Sequence, residues 1–572
     1  MPNVEKIKNF IKDNYIIIII LLLAFGVRWY GIYFDYPVGV TYIWDEIFNI
    51  AQLASRLEAY SWFGGGDNSY PFLLSVVYIP FAVIRIGYLA LVNHLYSVGE
   101  IKNYLVEFGF GSLYIVIRWV SVFFGTATAF LIYKISRLIY KNISSAYYAT
   151  LVYSFSLVPV FLSHWGKHHV PMVFFVVLAL YFILIFEQQK NLKYFYFSVA
   201  AAAGSVSTHY LGIFAASIPF LGLAFNFRAF NAKVIIKSIV LYGLIMFFFF
   251  ALNYQNIWQM LLSQLSFWKA TGFTGMYLVG RAERFYYIFR ETVKLEPIFL
   301  VVFFVMMILN FKLIIKDSLK KYIFLVILLN YLLMVAIAGI FVSRWLLIFV
   351  TLAMPFGAGL LLEYFYEKNI KKHFIFGIAL LLILPSIYFT YRWDRILSVN
   401  TNKEAAAWIS QNLKNNQNLY NFNNWFDIQP SYEAVLWDKE NNHRTSKKEN
   451  YILENKEKFL NKGFNVFYDY DNRRFDTLGG KNTKYIMIYY WLTEGLGRYT
   501  GGDVLTKNES YKALDEIKKY HELKPVVTFY PTKSQYLLDK GIGDYLNNPL
   551  SWLDLYYLDK SGPFIEIYEV LK

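Results

Sequence analysis

The sequence predicts a polytopic α-helical membrane protein that ends in a soluble α/β domain. Three observations carry this prediction: long apolar stretches, short basic connections between them, and a change of composition after residue 392. Of the 572 residues, 57% are hydrophobic, 20% are aromatic and only 17% are charged. Soluble domains carry about 25% charged residues, so the composition favours a chain that lies mostly in a bilayer.

The apolar stretches are long enough to form membrane spans, since a helix needs roughly 20 residues to cross the hydrocarbon. The first stretch covers residues 15–34 and follows three lysines. No small-residue cleavage site comes after it, so we interpret it as an uncleaved helix and not as a signal peptide. Ten later stretches bring the prediction to about eleven spans. They are residues 113–133, 146–162, 170–186, 194–206, 210–225, 234–252, 298–311, 323–341, 346–365 and 374–391.

Basic residues between the spans predict the orientation. The connections around Lys141, Lys190, Lys233, Lys320 and Lys371 are short and basic. By the positive-inside rule they lie in the cytoplasm together with the N-terminus, in a multi-pass protein of the cell membrane. The other side receives a first outer loop (35–111), a long outer loop (253–297) and everything after the last span. The net charge of +15 comes from these topological clusters, so we do not expect nucleic-acid binding.

Sequence character changes after residue 392. Thr401 and Glu404 have the spacing of a capping box, which would open an amphipathic helix. Strand-like runs follow at residues 465–470, 484–490, 526–530 and 564–570, with a helix near 511–519. We therefore predict a transmembrane domain over residues 1–392 and an extracytoplasmic α/β domain over residues 393–572.

Two adjacent carboxylates, Asp45 and Glu46, follow the first predicted span. Low dielectric near hydrocarbon disfavours their charged forms. We interpret them as the chemical centre of a membrane enzyme, and a solvated pair that caps the next helix is the open alternative.

Basic and imidazole side chains fall on the same predicted side as these carboxylates. They are His164, Lys167, His168, His169, His209, Arg281, Arg284 and Arg344. Such a set suits a reaction on a lipid-linked phosphate, because a carboxylate can accept a hydroxyl proton and cations can neutralise a departing phosphate. Alternatives without a catalytic role remain open. Arg344 would anchor its span to lipid headgroups, and Arg281 and Arg284 would be solvated loop residues.

The histidines have two further interpretations, an interfacial patch or a metal site, since imidazoles bind zinc. The chain has no Cys, which excludes disulfides, thiol catalysis and Cys-ligated zinc. We expect no cofactor and no metal ligands, with a divalent metal ion as the less favoured alternative.

Several short motifs occur in a distinctive order along the chain. They are Asp45-Glu46, Tyr70-Pro71-Phe72-Leu73, the segment from His164 to Pro171, Thr208-His209-Tyr210, Ser343-Arg344-Trp345, the segment from Ala406 to Ile409 and that from Ser561 to Tyr568. This order resembles the GT-C superfamily of polyprenyl-phosphate-sugar-dependent glycosyltransferases, and within it the protein mannosyltransferase and aminoarabinose transferase branch. His169 stands where that family usually has Asp, and His209 where it usually has Lys.

The resemblance implies that Asp45 is the catalytic carboxylate with Glu46 beside it, and that the Arg344 region and the first outer loop meet donor phosphate and acceptor. It implies transfer of a monosaccharide from a polyprenyl-phosphate donor to a hydroxyl of a glycan, lipid or protein. The expected reaction is an inverting displacement on the extracytoplasmic face. There is no Trp-Trp-Asp triplet, so transfer of a preassembled glycan to Asn is not expected.

Two other classes of function remain open. One is a flippase or transporter of a lipid-linked glycan intermediate, although such proteins typically show internal repeats and none is evident here. The other is an inactive relative of the family that acts in an assembly.

Overall fold

The computed structural model describes most of the chain, and the described ranges are residues 2–34, 72–107, 111–251, 281–337, 343–414, 417–421, 428–442, 447–460, 462–468, 475–478, 482–490, 507–534, 537–538 and 549–571. These residues are mostly helical, as predicted. The chain divides into two compact units. Unit 1 comprises Met1–Ile32, Phe48–Ala82 and Val116–Tyr391, whereas unit 2 comprises Tyr33–Ile47, Val83–Ile115 and Arg392–Lys572.

The first half of the chain consists of helices joined by short connections. In order they are α1 (Pro2–Trp29), α2 (Phe72–Val92), α3 (Val98–Glu107), α4 (Gly111–Ile139), α5 (Ile143–Phe155), α6 (Leu157–Ser163), α7 (His169–Gln189), α8 (Leu192–Thr208), α9 (Ser217–Phe225) and α10 (Ala232–Ala251). A 3-10 helix at Tyr210–Ala216 lies between α8 and α9, and a second one at Phe227–Ala229 precedes α10.

Helices also form the part of the chain that precedes the predicted soluble region. They are α11 (Arg281–Leu295), α12 (Pro297–Leu309), α13 (Phe311–Lys316), α14 (Ser318–Ile337), a 3-10 helix (Ser343–Leu346), α15 (Leu347–Glu367) and α16 (Lys372–Ser398). Each span predicted between residues 113 and 391 therefore contains helix. Within the predicted long outer loop (253–297), residues 281–295 form the helix α11.

Two pairs of consecutive helices are sharply bent at a short break. The stretch predicted as one helix over 146–162 bends by 53° between α5 and α6, where Ser156 has extended backbone. The chain bends by 118° between α11 and α12, at Glu296. One Glu296 oxygen accepts hydrogen bonds from the Ser156 hydroxyl at 2.5 Å and from the Val158 N–H at 3.3 Å. The buried Glu296 carboxylate therefore connects the two bends, and it accepts a hydrogen bond from an otherwise unpaired type of backbone N–H, that of Val158 in the first turn of α6.

Length and composition identify five described helices as able to span a membrane, or seven if each bent pair is one span. Shorter apolar helices occur at Asn14–Trp29, Val76–Val92 and Leu211–Phe225. The full set of about eleven spans and their orientation stay predictions.

Helix α15 lies in the core of unit 1. All its residues from Leu347 to Glu363 are buried, which fits a sequence that is apolar on every face. Close packing uses small residues: a Cβ at Gly357 would come within 2.7 Å of the Phe303 backbone in α12. Helices α7 and α8 also lie side by side, because Ser198 and Ser205 donate hydrogen bonds to carbonyls of α7.

A buried ion pair links α14 and α15. Nζ of Lys320 lies 2.5 Å from Glu363, and both side chains are at most 4% exposed. The Lys141 N–H also donates to Glu363. The sequence placed Lys320 in a basic cytoplasmic connection, but its ammonium is buried because it neutralises a carboxylate of the core helix.

Unit 2 contains a mixed sheet of five strands in the order β2-β1-β3-β5-β4. The strands are β1 (Asn418–Asn421), β2 (Asn465–Tyr468), β3 (Thr483–Tyr490), β4 (Leu523–Phe529) and β5 (Phe564–Val570). Strand β1 pairs in parallel with β2 and β3, whereas β5 pairs antiparallel with β3 and β4. Four strands overlap the predicted runs, and β1 was not predicted.

Helices accompany the sheet. They are α17 (Thr401–Asn412), α18 (Tyr432–Asn442), α19 (Lys447–Glu454), α20 (Lys456–Phe459), α21 (Lys507–Ile517) and α22 (Trp552–Tyr557). Tyr420, Phe467, Ile486 and Ile488 of the sheet pack with Trp437 of α18 in one buried cluster. Whether this part is an independent soluble domain outside the cytoplasm stays a prediction.

The predicted capping box is wrong by one residue. Asn400 is the N-cap of α17, and its side chain accepts a hydrogen bond from the Asn402 N–H at 2.7 Å. The Thr401 hydroxyl instead donates to the Pro563 carbonyl at 2.6 Å, and Glu404 pairs with Lys560. Both capping-box side chains are thus engaged with the segment that precedes β5.

Candidate functional site

The predicted histidine segment forms a buried turn between α6 and α7. His164, Lys167 and His168 belong to this turn, and His169 is the first residue of α7. Gly166 allows close approach to α4, because a Cβ there would lie 2.3 Å from the Ile117 side chain. The turn is therefore held against α4 with its polar side chains inside the protein.

His209 reaches the same region from the end of α8. Its ring Nδ1 accepts a hydrogen bond from the Leu211 N–H at 3.2 Å, which caps the following 3-10 helix. Gly212 folds this helix back tightly, since a Cβ would lie 2.3 Å from the Ser205 backbone. The packing of α7 on α8, through the bond from Ser205 to the Met172 carbonyl, brings His209 beside the start of α7.

Three histidines meet there, and we call His168, His169 and His209 the histidine cluster. The ring centroids lie 4.0 Å apart for His168 and His209, 4.4 Å for His168 and His169, and 5.0 Å for His169 and His209. All three side chains are at most 4% exposed. One potential ligand nitrogen from each ring lies within 4.8 Å of the others.

Two cations adjoin the histidine cluster. Lys167 is fully buried, with its Nζ 5.8 Å from the centre of the Trp165 ring. Arg344 is half-buried in the 3-10 helix before α15, which packs on α6 and α11. The charges of both residues act on the His169 imidazole. The structure thus brings together five of the ten predicted site residues, and the assembly carries positive charge.

His164 lies in the same turn but has a different environment. Its Nδ1 bonds to the Val160 carbonyl at 2.9 Å and its Nε2 to the Tyr30 carbonyl at 2.7 Å. His164 therefore anchors the residues after α1 to the end of α6 and is fully occupied in doing so.

The remaining predicted residues are not placed relative to the cluster. Asp45 and Glu46 lie outside the described residues. Arg281 and Arg284 lie in α11, and their place in an outer connection between spans stays a prediction. Nothing in the structure places their side chains.

Several buried charged residues were not singled out from the sequence, and three of them lie in or beside the helices around the site. Arg28 of α1 donates hydrogen bonds to carbonyls of Ala24, Ser154 and Tyr153, and Arg118 of α4 donates to the Ile32 carbonyl at 3.0 Å. The third is Glu296 at the bend before α12. An ionisable residue inside an apolar run was the signal available for the arginines.

Comparison with known proteins gives one match to a family model. Residues 105–258 match the family described as dolichyl-phosphate-mannose-protein mannosyltransferase. The resemblance to the protein mannosyltransferase family is confirmed. The matched segment is less than half of the chain, and it includes His164, Lys167 and the whole histidine cluster. The search of curated proteins found no match.

Several solved structures are similar at low identity. The oligosaccharyltransferase of Archaeoglobus fulgidus is 14% identical with a TM-score of 0.45, over 88% of this chain and 71% of that one. ArnT from Cupriavidus metallidurans, solved with undecaprenyl phosphate, is 10% identical with a TM-score of 0.43, over 86% and 95%. The Pmt1-Pmt2 complex of S. cerevisiae, solved with its sugar donor, is 15% identical with a TM-score of 0.31, over 44% and 34%. With these TM-scores we base no conclusion on the structural likenesses.

The chemistry available at the histidine cluster follows from its imidazoles and from the neighbouring Lys167 and Arg344, of which Arg344 lies outside the matched segment. Imidazoles, an ammonium and a guanidinium can donate hydrogen bonds to an anion, and such charge-assisted bonds are strongest away from water. No carboxylate belongs to the cluster within the described part of the chain. The arrangement is therefore suited to hold a phosphate or a metal ion, and a catalytic base must come from elsewhere.

Proposed function

We propose that the chain is an integral membrane glycosyltransferase that moves one sugar from a polyprenyl-phosphate donor to an acceptor hydroxyl on the extracytoplasmic face. One observation supports this most: Lys167 and the histidine cluster are buried within the segment that resembles protein mannosyltransferases, and the half-buried Arg344 adds a further positive charge that acts on His169. An interfacial patch would be solvated, whereas the histidines and Lys167 are buried.

The phosphate of the donor would bind at these cations. Lys167 and Arg344 offset its negative charge, and imidazole N–H groups add hydrogen bonds. As the anomeric carbon–oxygen bond breaks, negative charge increases on the departing phosphate, so the same groups stabilise the transition state more than the bound donor. The lipid chain would enter sideways from the outer leaflet.

Asp45 would act as the general base, and Glu46 would help to position the acceptor. Asp45 takes the proton of the acceptor hydroxyl. The oxygen of that hydroxyl forms a bond to the anomeric carbon while the bond from this carbon to the phosphate oxygen breaks. A single displacement inverts the configuration at the anomeric carbon. The products are the glycosylated acceptor and polyprenyl phosphate. Asp45 then releases the proton that it took from the acceptor hydroxyl.

Native mass spectrometry of the protein purified from its own membranes tests the donor class. The variant Arg344→Ala removes one proposed phosphate ligand, and Arg228→Ala removes an exposed guanidinium as a matched control. We expect wild type and Arg228→Ala to retain a lipid with the mass of polyprenyl phosphate plus one sugar, and Arg344→Ala to lose it.

Two results would contradict the proposal. A retained lipid diphosphate carrying an oligosaccharide would indicate a polymerase, ligase or flippase of a preassembled glycan. Equal retention of the donor by Arg344→Ala would exclude Arg344 as a phosphate ligand.

A further inference from the structure

The histidine cluster has the composition and spacing of a metal site. His168, His169 and His209 are buried, and their candidate ligand nitrogens lie within 4.8 Å of one another. We infer that these three residues bind a divalent transition-metal ion between the start of α7 and the end of α8. The sequence left this as the less favoured interpretation of the histidines, and the geometry now favours it.

His169 provides an independent observation that points to a ligand. Its side chain is 1% exposed, and within the described residues neither Nδ1 nor Nε2 has a hydrogen-bond partner. A buried polar group without a partner is costly, and such groups in proteins often mark the position of a bound ion or water. His164 shows the contrast, because both of its ring nitrogens bond to backbone carbonyls.

The ligand atoms select the class of metal. Imidazole nitrogen suits zinc, copper and nickel, whereas magnesium and calcium prefer carboxylate and carbonyl oxygen. The described members of the cluster are all histidines, so we assign it to an ion such as Zn²⁺ and not to Mg²⁺. Three protein ligands leave the fourth tetrahedral position open, as in catalytic zinc sites.

The positively charged side chains near the cluster favour an anion as the fourth ligand of the metal ion. The positive charges of Lys167 and Arg344 act on the His169 imidazole. These charges oppose the binding of a metal cation unless an anion accompanies it. An anionic oxygen at the open position would be bound by the metal ion and by both cations together. Under the proposed function this oxygen belongs to the donor phosphate, and this part of the inference rests on that function.

One hydrogen bond must be given up when the metal ion binds. The Leu211 N–H donates to Nδ1 of His209. An ion at Nδ1 would replace this donor, and an ion at Nε2 would leave the proton on Nδ1, so neither arrangement keeps the bond. The loss of one hydrogen bond at the start of the 3-10 helix is small beside three metal–nitrogen bonds.

Zinc binding can be measured without any donor or activity. The full-length protein in detergent is stripped with a chelator, equilibrated with Zn²⁺ and analysed for bound zinc, with affinity measured against a chromophoric chelator. We expect one zinc ion per chain in the wild type. We expect His169→Gln to bind it at least about 100-fold more weakly, since even changes outside the ligand shell cost 10- to 100-fold.

A second ligand variant and a control histidine variant distinguish loss of zinc binding from misfolding of a single variant. His168→Gln removes a second ligand, and His373→Ala removes an exposed histidine outside the cluster. Zinc should raise the melting temperature of wild type and His373→Ala, because a ligand stabilises the state that binds it, and should leave folded, monodisperse His168→Gln unchanged. Wild type without tightly bound zinc, or unchanged affinity in both cluster variants, would overturn the inference.

A last comparison separates this inference from the proposed function. Donor retention is measured by native mass spectrometry with zinc-loaded and zinc-free wild type. Retention that requires zinc supports metal-assisted binding of the phosphate. Equal retention in both forms overturns the metal–phosphate contact and leaves the donor class standing, with the imidazoles acting as direct hydrogen-bond donors.

Discussion

The imidazole rings of His169 and His209 lie 5.0 Å apart, although one opens α7 and the other follows α8. These are the two positions at which the chain departs from the resembled family, which usually has Asp at the first and Lys at the second. The two departures are therefore in contact, and their replacement by two imidazoles removes a carboxylate and an ammonium from one place.

The first prediction concerns this pair. His209→Lys alone adds a buried cation near Lys167 and Arg344, and we expect it to lower the melting temperature. His169→Asp in the same protein supplies a counter-charge, so the double variant should recover stability, with a coupling of about 0.5–3 kcal/mol between the positions. The control is His169→Asn with His209→Lys, whose neutral amide should restore little. Full additivity of the two changes would show that the side chains do not interact.

The second prediction concerns the proposed general base. Asp45→Asn keeps the size of the side chain but cannot accept the acceptor proton, so we expect turnover to fall by about 10²- to 10⁴-fold. Glu46→Gln should cost less, because Glu46 is assigned only to positioning. The measurement is transfer of labelled sugar from the donor identified by mass spectrometry, with donor retention as the check on folding. Unchanged turnover of Asp45→Asn would rule it out as the base.

Much of the helical architecture was predictable because apolar stretches of span length have few alternatives in a membrane protein. The observed α7 (His169–Gln189) differs from the predicted 170–186 by one residue at its start and three at its end. The order of motifs also predicted a shared site, and the histidine cluster with Lys167 and Arg344 is where several of those motifs meet.

Other features depend on partners that are distant in sequence. The bend at Ser156 is stabilised by Glu296, and no local pattern around either residue shows that they meet. Thr401 fits a capping box locally, but Pro563 accepts its hydroxyl. Arg28 lies inside the first apolar stretch with its partners in α5. Sequence periodicity predicts which face is buried, whereas these hydrogen bonds require tertiary contacts.

The third prediction concerns the hydrogen bonds of Glu296, which connect the bend between α11 and α12 with the bend between α5 and α6. Glu296→Ala removes the acceptor of the Ser156 hydroxyl and the Val158 N–H. Leaving these buried donors without their acceptor should cost about 1–3 kcal/mol. Glu296→Gln retains one carbonyl oxygen and should cost clearly less. Thermal unfolding of the three proteins in one detergent measures the difference, and equal melting temperatures for wild type and Glu296→Ala would contradict the structural role.

The fourth prediction concerns the buried pair of Lys320 and Glu363. Lys320→Met leaves the Glu363 carboxylate buried without its cation, and removal of one partner of a buried ion pair costs about 3–5 kcal/mol. Lys320→Met together with Glu363→Leu removes both charges and should regain most of that loss. As a control, Lys190→Met breaks an ion pair whose lysine is 56% exposed and should have little effect. A double variant no more stable than Lys320→Met would contradict this account.

The fifth prediction concerns two carboxylates of β5 with opposite pH behaviour. Burial raises the pKa of Glu566, although the Tyr568 hydroxyl donates a hydrogen bond to it at 3.0 Å. The Lys484 ammonium lowers the pKa of Glu569 by hydrogen bonding to it across the β3–β5 pairing. Glu566 therefore favours the fold below its unfolded pKa of about 4.3 and loses this contribution as the pH rises through its raised folded pKa. Glu569 contributes above about pH 4.3, and its contribution disappears as the pH falls through its lowered folded pKa.

Hydrogen exchange of the β5 amides in the full-length protein distinguishes these two signs. At about pH 7, Glu566→Gln should increase protection because it removes a charge that burial disfavours, and Glu569→Gln should decrease protection because it removes the partner of Lys484. As the pH falls to about 4 and below, both ratios of variant to wild-type protection should move towards one, since the wild-type carboxylates become neutral. A Glu566→Gln effect of the same sign as Glu569→Gln at neutral pH would show that the Tyr568 hydrogen bond outweighs the burial of Glu566.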